Sequence, residues 1–197
     1  MKYPTSISAR IANSKGATMV ELLVALFLTG IVASASYQFY ISSHNSVMTQ
    51  NDIADLQYQG RATISELLRA LRSTGYLVGT HEPYHFSNDS MFVFTNNGTK
   101  IDTTLFYLQE YSDVEYSRYP TRPTGLPLYK LLKKTNSNPA EVYSDYIKSL
   151  TYQLIDTNDV SITLVVETPR PDEAFPTNNG YRNYSMTELA HLRNVIP

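Results

Sequence analysis

The hydrophobic pattern changes character twice along the chain. Residues 17–35 form an almost unbroken apolar run of about 19, close to the roughly 20 a helix needs to cross hydrocarbon, and the run holds one carboxylate, Glu21. Beyond it, Ile53, Leu56, Ile64, Leu67, Leu68 and Leu71 recur at helical steps and form an amphipathic stripe. No proline lies between Pro4 and Pro83. The spacing therefore predicts one helix from about Thr18 to Ser73, apolar all round in its first half and one-sided in its second. Gly60 falls within the stripe and costs about 1 kcal/mol of helix stability, which predicts a bend or a close contact there. Arg61, Arg69 and Arg72 come late, where cations complement the helix dipole, and Gly75 is the stop signal.

After the helix the period falls to two. Residues 91–95, the turn Asn96-Asn97-Gly98-Thr99 and residues 101–109 read as strand, turn and strand, because Asn-Gly accepts the positive φ of a tight hairpin. Residues 111–125, with Pro120, Pro123 and several tyrosines, read as a surface loop. Strands are predicted over 126–133, 147–156 and 160–168, the last two joined by a turn at Thr157-Asn158-Asp159. Residues 169–180 form a second loop. Residues 184–193 fit a final edge strand, while 186–192 also fit a short helix. The fold class is thus α+β, a long N-terminal helix packed on an antiparallel β-sheet head.

Composition and charge narrow what such a chain can do. Beyond the apolar run, the 197 residues leave room for one modest soluble domain. A net charge of −2 and a pI near 6.1 provide no general basic field, so nucleic acid is not indicated as a partner. Cysteine is absent, so packing and hydrogen bonds must hold the head without disulfides. Lys2, Arg10 and Lys15 precede the apolar run, and the next basic residue is Arg61; this asymmetry predicts a cytoplasmic N-terminus and an extracytoplasmic head. Tyr37 and Tyr40, just past the run, suit a membrane interface or a packed helical interior.

Glu21 needs an explanation, because a carboxylate in an apolar helix loses its hydration unless a partner replaces it. A cut after Gly16 would create an amino group on Ala17, one helical turn from Glu21. A secretory signal peptide, with Ala33-Ser34-Ala35 as its small-x-small site, would carry Glu21 in its core behind an overlong leader. A plain membrane anchor leaves unexplained why the one charge stands five residues after a glycine. Lys15, Gly16, Glu21 and the apolar helix together resemble the class III signal of type IV pilins and type II secretion pseudopilins. The resemblance implies a membrane prepilin peptidase that cuts between Gly16 and Ala17 and methylates the Ala17 amine. It also implies that Glu21 is the charge that docks an incoming subunit. Many major pilins have phenylalanine where this chain has Ala17.

The resemblance extends to the head. The segment ELLRALRSTGYLVG after the stripe is followed by the hairpin, by Leu128-Tyr129-Lys130 and by the pair Ser149-Leu150-Thr151-Tyr152 and Ser161-Ile162-Thr163-Leu164. This order, ending in His191-Leu192-Arg193-Asn194, is similar to PilW-type minor pilins and to the J-type pseudopilin of type II secretion. It implies a leader over 1–16, a transmembrane or filament-core helix over 17–40, an amphipathic half over 41–75 and a β-rich head over 76–197. The implied location is the inner membrane, single-pass, and then a pilus or pseudopilus. The implied partners are the prepilin peptidase, other minor pilins or pseudopilins, the major subunit, the inner-membrane assembly platform and, before assembly, membrane lipid. An anchored extracytoplasmic binding protein that never polymerises is the competing class.

No catalytic centre is expected. His81-Glu82-Pro83-Tyr84-His85 matches the HExxH zinc pattern, but Pro83 pushes Glu82 out of the helix such a site requires, and a polar loop explains the segment. Asp156, Asn158 and Asp159 offer oxygens to calcium, yet turn chemistry accounts for them. Sequons at Asn88, Asn97 and Asn183 mark exposed turns. His44 and His191 have no recognisable partner in the sequence. No metal or other cofactor is expected.

Overall fold

The computed structural model describes residues 18–75, 83–87, 90–96, 98–118, 122–123, 125–156, 158–172 and 174–193. The chain divides into two compact units, Met1–Val47 and Met48–Pro197. One helix, α1 (Met19–Ser73), supplies residues to both. In the first unit its apolar side chains, among them Leu22, Leu23, Phe27, Leu28 and Ile31, are exposed. The helix is long and apolar enough to cross a membrane.

In the second unit the stripe does what its period predicts. Leu56, Ile64, Leu67, Leu68 and Leu71 are buried in one cluster with strand residues, and each is stabilised by about 1.5–3 kcal/mol relative to exposure. At Gly60 the alternative realised is the close contact: a Cβ would run into the terminal methyl of Met186 and lie 3.6 Å from Val166 Cγ2. The helix stops at the glycine, as read. Gly75 takes φ 74°, and its N–H donates to the Phe94 carbonyl at 3.0 Å, which ties the helix end to the sheet.

The sheet is a seven-stranded antiparallel meander in sequence order. Its strands are β1 (Tyr84–Ser87), β2 (Ser90–Asn96), β3 (Ile101–Glu110), β4 (Tyr129–Thr135), β5 (Glu141–Asp156), β6 (Asp159–Glu167) and β7 (Asn183–His191). Alternation fills one face: Met91 and Val93, Phe106, Leu131, Ile147 and Leu150, Val160, Ile162, Leu164 and Val166, and Ala190 join the helix stripe in the core. The β2–β3 hairpin closes as the sequence predicts. Asn96 pairs with Ile101, Gly98 takes φ 95°, and Asn96 Oδ1 accepts the Gly98 N–H at 2.8 Å.

Four readings are corrected. Tyr84 and His85 belong to β1, where His85 pairs with Phe92, so the polar loop assigned to that segment is in part a strand. The strand placed at 126–133 starts later, at Tyr129, and the loop before it contains a helical turn, α2 (Asp113–Tyr116). Strand β5 begins at Glu141, six residues before the predicted start, because register shifts against β4 and a left-handed Tyr146 (φ 61°) interrupt the alternation. Residues 186–192 do not form a helix: β7 pairs with β6 from Asn183 to His191.

Candidate functional site

The start of α1 is built from Thr18 and Glu21. Glu21 Oε2 accepts the Thr18 N–H at 2.8 Å, and Thr18 Oγ1 accepts the Glu21 N–H at 3.2 Å. This reciprocal pair is a capping box: a hydroxyl and a carboxylate three residues apart satisfy N–H groups that the first helical turn leaves without partners. Its signature, Thr-x-x-Glu ahead of an apolar run, stands in the sequence, but the sequence reading treated Glu21 only as a charge. The carboxylate therefore has a local acceptor role whatever else it does. Gly16 and Ala17, the expected cleavage and methylation positions, lie outside the described residues, as do Lys2, Arg10 and Lys15.

Two turns further on, a hydroxyl is satisfied within the helix. Thr29 Oγ1 donates to the Ala25 carbonyl at 2.7 Å, a self-contained arrangement that suits an apolar surrounding. Tyr37 and Tyr40 are exposed, and Tyr40 stacks on His44 one turn later, which gives His44 a ring partner that was not anticipated.

In the head, the described candidate metal groups fall on β1 and at the β5–β6 hairpin. His85 lies on a strand, and His81 and Glu82 lie outside the described residues. Among the described residues, no group of three or more His, Cys, Asp or Glu side chains is placed to hold a metal. Asp156 and Asp159 face each other at the β5–β6 hairpin, and Asp159 Oδ1 lies 2.8 Å from His191 Nδ1. His191 thus has a partner after all, supplied by the Asp159–His191 register of β6 and β7. The Asn158 carbonyl accepts the Leu192 N–H at 2.7 Å, as a turn residue would. Of the three sequons, Asn183 sits at the start of β7, and Asn88 and Asn97 lie outside the described residues.

Two ionic nodes are not legible in the sequence because each draws a cation from a distant part of the chain, Lys133 in one and Arg122 in the other. Glu66, on the core side of α1, accepts from Lys133 of β4 at 2.6 Å and pairs with Arg69. Burial pushes its carboxyl up, but hydrogen bonds from Lys133 and Arg69 outweigh this and hold it below the usual range. Glu167, at the end of β6, is 0 % exposed and meets Arg122 and Lys148, with Asn178 Nδ2 donating to it at 2.9 Å. Here too burial raises the carboxyl while Lys148, Asn178 and Arg122 more than compensate, leaving it low. The Arg122 guanidinium also lies over the Tyr181 ring and donates to the Leu126 carbonyl, so the node fastens the segment around Arg122 to the sheet. In both cases the sequence signal was a lone acid at the border of an apolar pattern.

Residues 11–37 match a family model described as the prokaryotic N-terminal methylation motif. No curated protein and no solved structure matches the chain. The motif covers the N-terminal segment and runs into the start of α1, the helix long and apolar enough to cross a membrane, and the two together support a pilin-like, membrane-anchored N-terminal segment.

Proposed function

We propose that the chain is a minor pilin of the PilW type, cut between Gly16 and Ala17, methylated on the Ala17 amine and incorporated into, or priming, a type IV pilus. Before assembly it sits in the inner membrane as a single span, with its N-terminus cytoplasmic and its head outside. The observation that carries the reading is Glu21, the one carboxylate within residues 19–47 of α1, a stretch whose apolar side chains are exposed in the isolated chain. Assembly supplies what lipid cannot. Neighbouring helices cover the apolar surface, and the amino terminus of an adjacent subunit neutralises Glu21 within that packed core. The methylation motif over residues 11–37 supports the processing step, and the basic residues before the run support the orientation.

Co-expression with a prepilin peptidase tests the processing. The expected product begins at Ala17 and has lost about 1.7 kDa, the mass of the leader over residues 1–16. Gly16→Ala keeps the small residue and should be processed, whereas a bulky residue at Gly16 should retain the leader. A mature chain that starts at Met1 or at Ser36 excludes the reading in favour of an anchor or a secretory signal. The resemblance of the head segments to J-type pseudopilins makes a type II secretion pseudopilus tip the second reading. Deleting the gene should abolish piliation in the first case and protein secretion in the second.

A further inference from the structure

The Glu167 node holds more than charges. Lys148 Nζ lies 2.7 Å from Glu167 Oε2 and 3.5 Å from the side-chain carbonyl oxygen of Asn178, while Asn178 Nδ2 donates to the same Oε2 at 2.9 Å. An amine, an amide and a carboxylate oxygen that touches both nitrogens are therefore gathered at one point. The fold aims each of them. Lys148 is the extra residue where β5 shifts register against β6, and such bulges redirect a side chain. Asn178 takes φ 53°, a conformation asparagine tolerates, and its Nδ2 also donates to the Tyr181 carbonyl at 2.9 Å, which fixes the amide plane with its oxygen toward Lys148. Glu167 is 0 % exposed, so water does not compete for its oxygens.

From this geometry we propose that Lys148 and Asn178 join through an intramolecular amide bond, formed autocatalytically with Glu167 as the proton carrier. Glu167 Oε2 takes a proton from the Lys148 ammonium, and the freed lone pair attacks Cγ of Asn178. Glu167 then passes that proton to Nδ2, the Cγ–Nδ2 bond breaks, and ammonia leaves. The nitrogen that attacked keeps one hydrogen as an amide N–H, and the departing ammonia carries away the remaining proton as ammonium. No oxidant or cofactor is consumed. Glu167, held low by its cations, is a weak base and the step is slow, but a once-only reaction needs a single turnover in the life of the protein. The Lys148 side chain is 33 % exposed, which gives ammonia a way out, and its dilution into solvent draws the reaction forward. Asn183 also lies near: with its amide turned to satisfy both neighbours, Nδ2 donates to Glu167 Oε2 at 2.6 Å and the oxygen accepts from Lys148 at 3.2 Å. It is exposed at the sheet edge, whereas Asn178 is partly buried and its amide is pinned by two acceptors, so Asn178 is the electrophile. The bond would staple the 169–180 loop to β5 in a chain that has no cysteine for a disulfide.

The test is peptide mapping by tandem mass spectrometry of the full chain extracted in detergent. The expected result is a branched peptide joining the segments around Lys148 and Asn178, lighter by about 17 Da than their sum, the mass of one ammonia. Lys148→Arg keeps a cation opposite Glu167 and should give only linear peptides, as should Glu167→Gln. Unlinked Lys148 in the wild-type chain overturns the proposal even if a variant fails to fold, and so does linkage to Asn183 in place of Asn178.

Discussion

At the scale of single residues, Gly60 shows how a weak helix former is retained by packing. Replacing it with alanine gains about 0.5–1 kcal/mol of helix propensity, and the new methyl meets only the far end of a flexible methionine, Met186. Gly60→Ala is therefore expected to leave the melting temperature of the detergent-solubilised chain nearly unchanged. Gly60→Leu cannot be accommodated by one methionine tip, because Val166 stands behind it, and should cost about 1–3 kcal/mol. Thermal unfolding of the two variants side by side checks both halves, and Met186→Ala should recover part of the loss in the leucine variant. Glu66 poses the opposite problem, a charge where the stripe wants carbon. Removing it leaves Lys133 half-sheltered without its carboxylate, so Glu66→Ala should destabilise by about 1–3 kcal/mol, and Lys133→Ala in addition should cost less than it does alone. A double-mutant cycle in denaturant reads that coupling directly.

Among the elements, the ionic nodes set an acid limit on the head. Glu66 and Glu167 both have carboxyls held lower in the folded chain than in the unfolded one, so between the two values the unfolded chain binds more protons and stability rises with pH. Their contribution is complete above the unfolded carboxylate value of about 4.3 and is lost as pH falls through the lower folded values. Melting temperature should thus be flat near neutrality and fall below about pH 4, with a shallower fall in Glu66→Gln; a fall of equal slope in that variant removes Glu66 as a cause. What the sequence makes legible follows the same division between local and distant. The long helix, its glycine stop and the Asn-Gly hairpin depend on neighbours in the chain, and each stands where its residues indicate. The start of β5 was hidden because Tyr146 takes a left-handed conformation that no local pattern announces, and the strand nature of β7 is decided by its ladder with β6. Lys133 beside Glu66, Arg122 beside Glu167 and Asp159 beside His191 lie tens of residues away and become visible only once the chain is folded. At the helix start the reverse holds: the capping box was written in four consecutive residues.

For the whole molecule the question is whether Glu21 serves only the helix that carries it or also a neighbour. The capping box provides a way to separate the two roles. Glutamine retains a side-chain oxygen that can accept the Thr18 N–H, so Glu21→Gln preserves the cap while removing the charge, whereas Glu21→Ala removes both. If the carboxylate only closes the first turn, alanine should cost roughly 1 kcal/mol of local helix stability and glutamine almost nothing, and both variants should assemble. If the carboxylate must meet an ammonium group in a packed core, glutamine fails as alanine does, because a neutral amide cannot balance a desolvated charge on the adjoining subunit. The second pattern is the one expected. Both variants should insert into the membrane at wild-type levels, since removing a charge from an apolar span lowers the cost of burying it there. Both should be missing from sheared filaments probed with antibody against the head. Wild-type incorporation of Glu21→Gln would leave the residue as a helix cap and move the origin of subunit docking elsewhere in the chain.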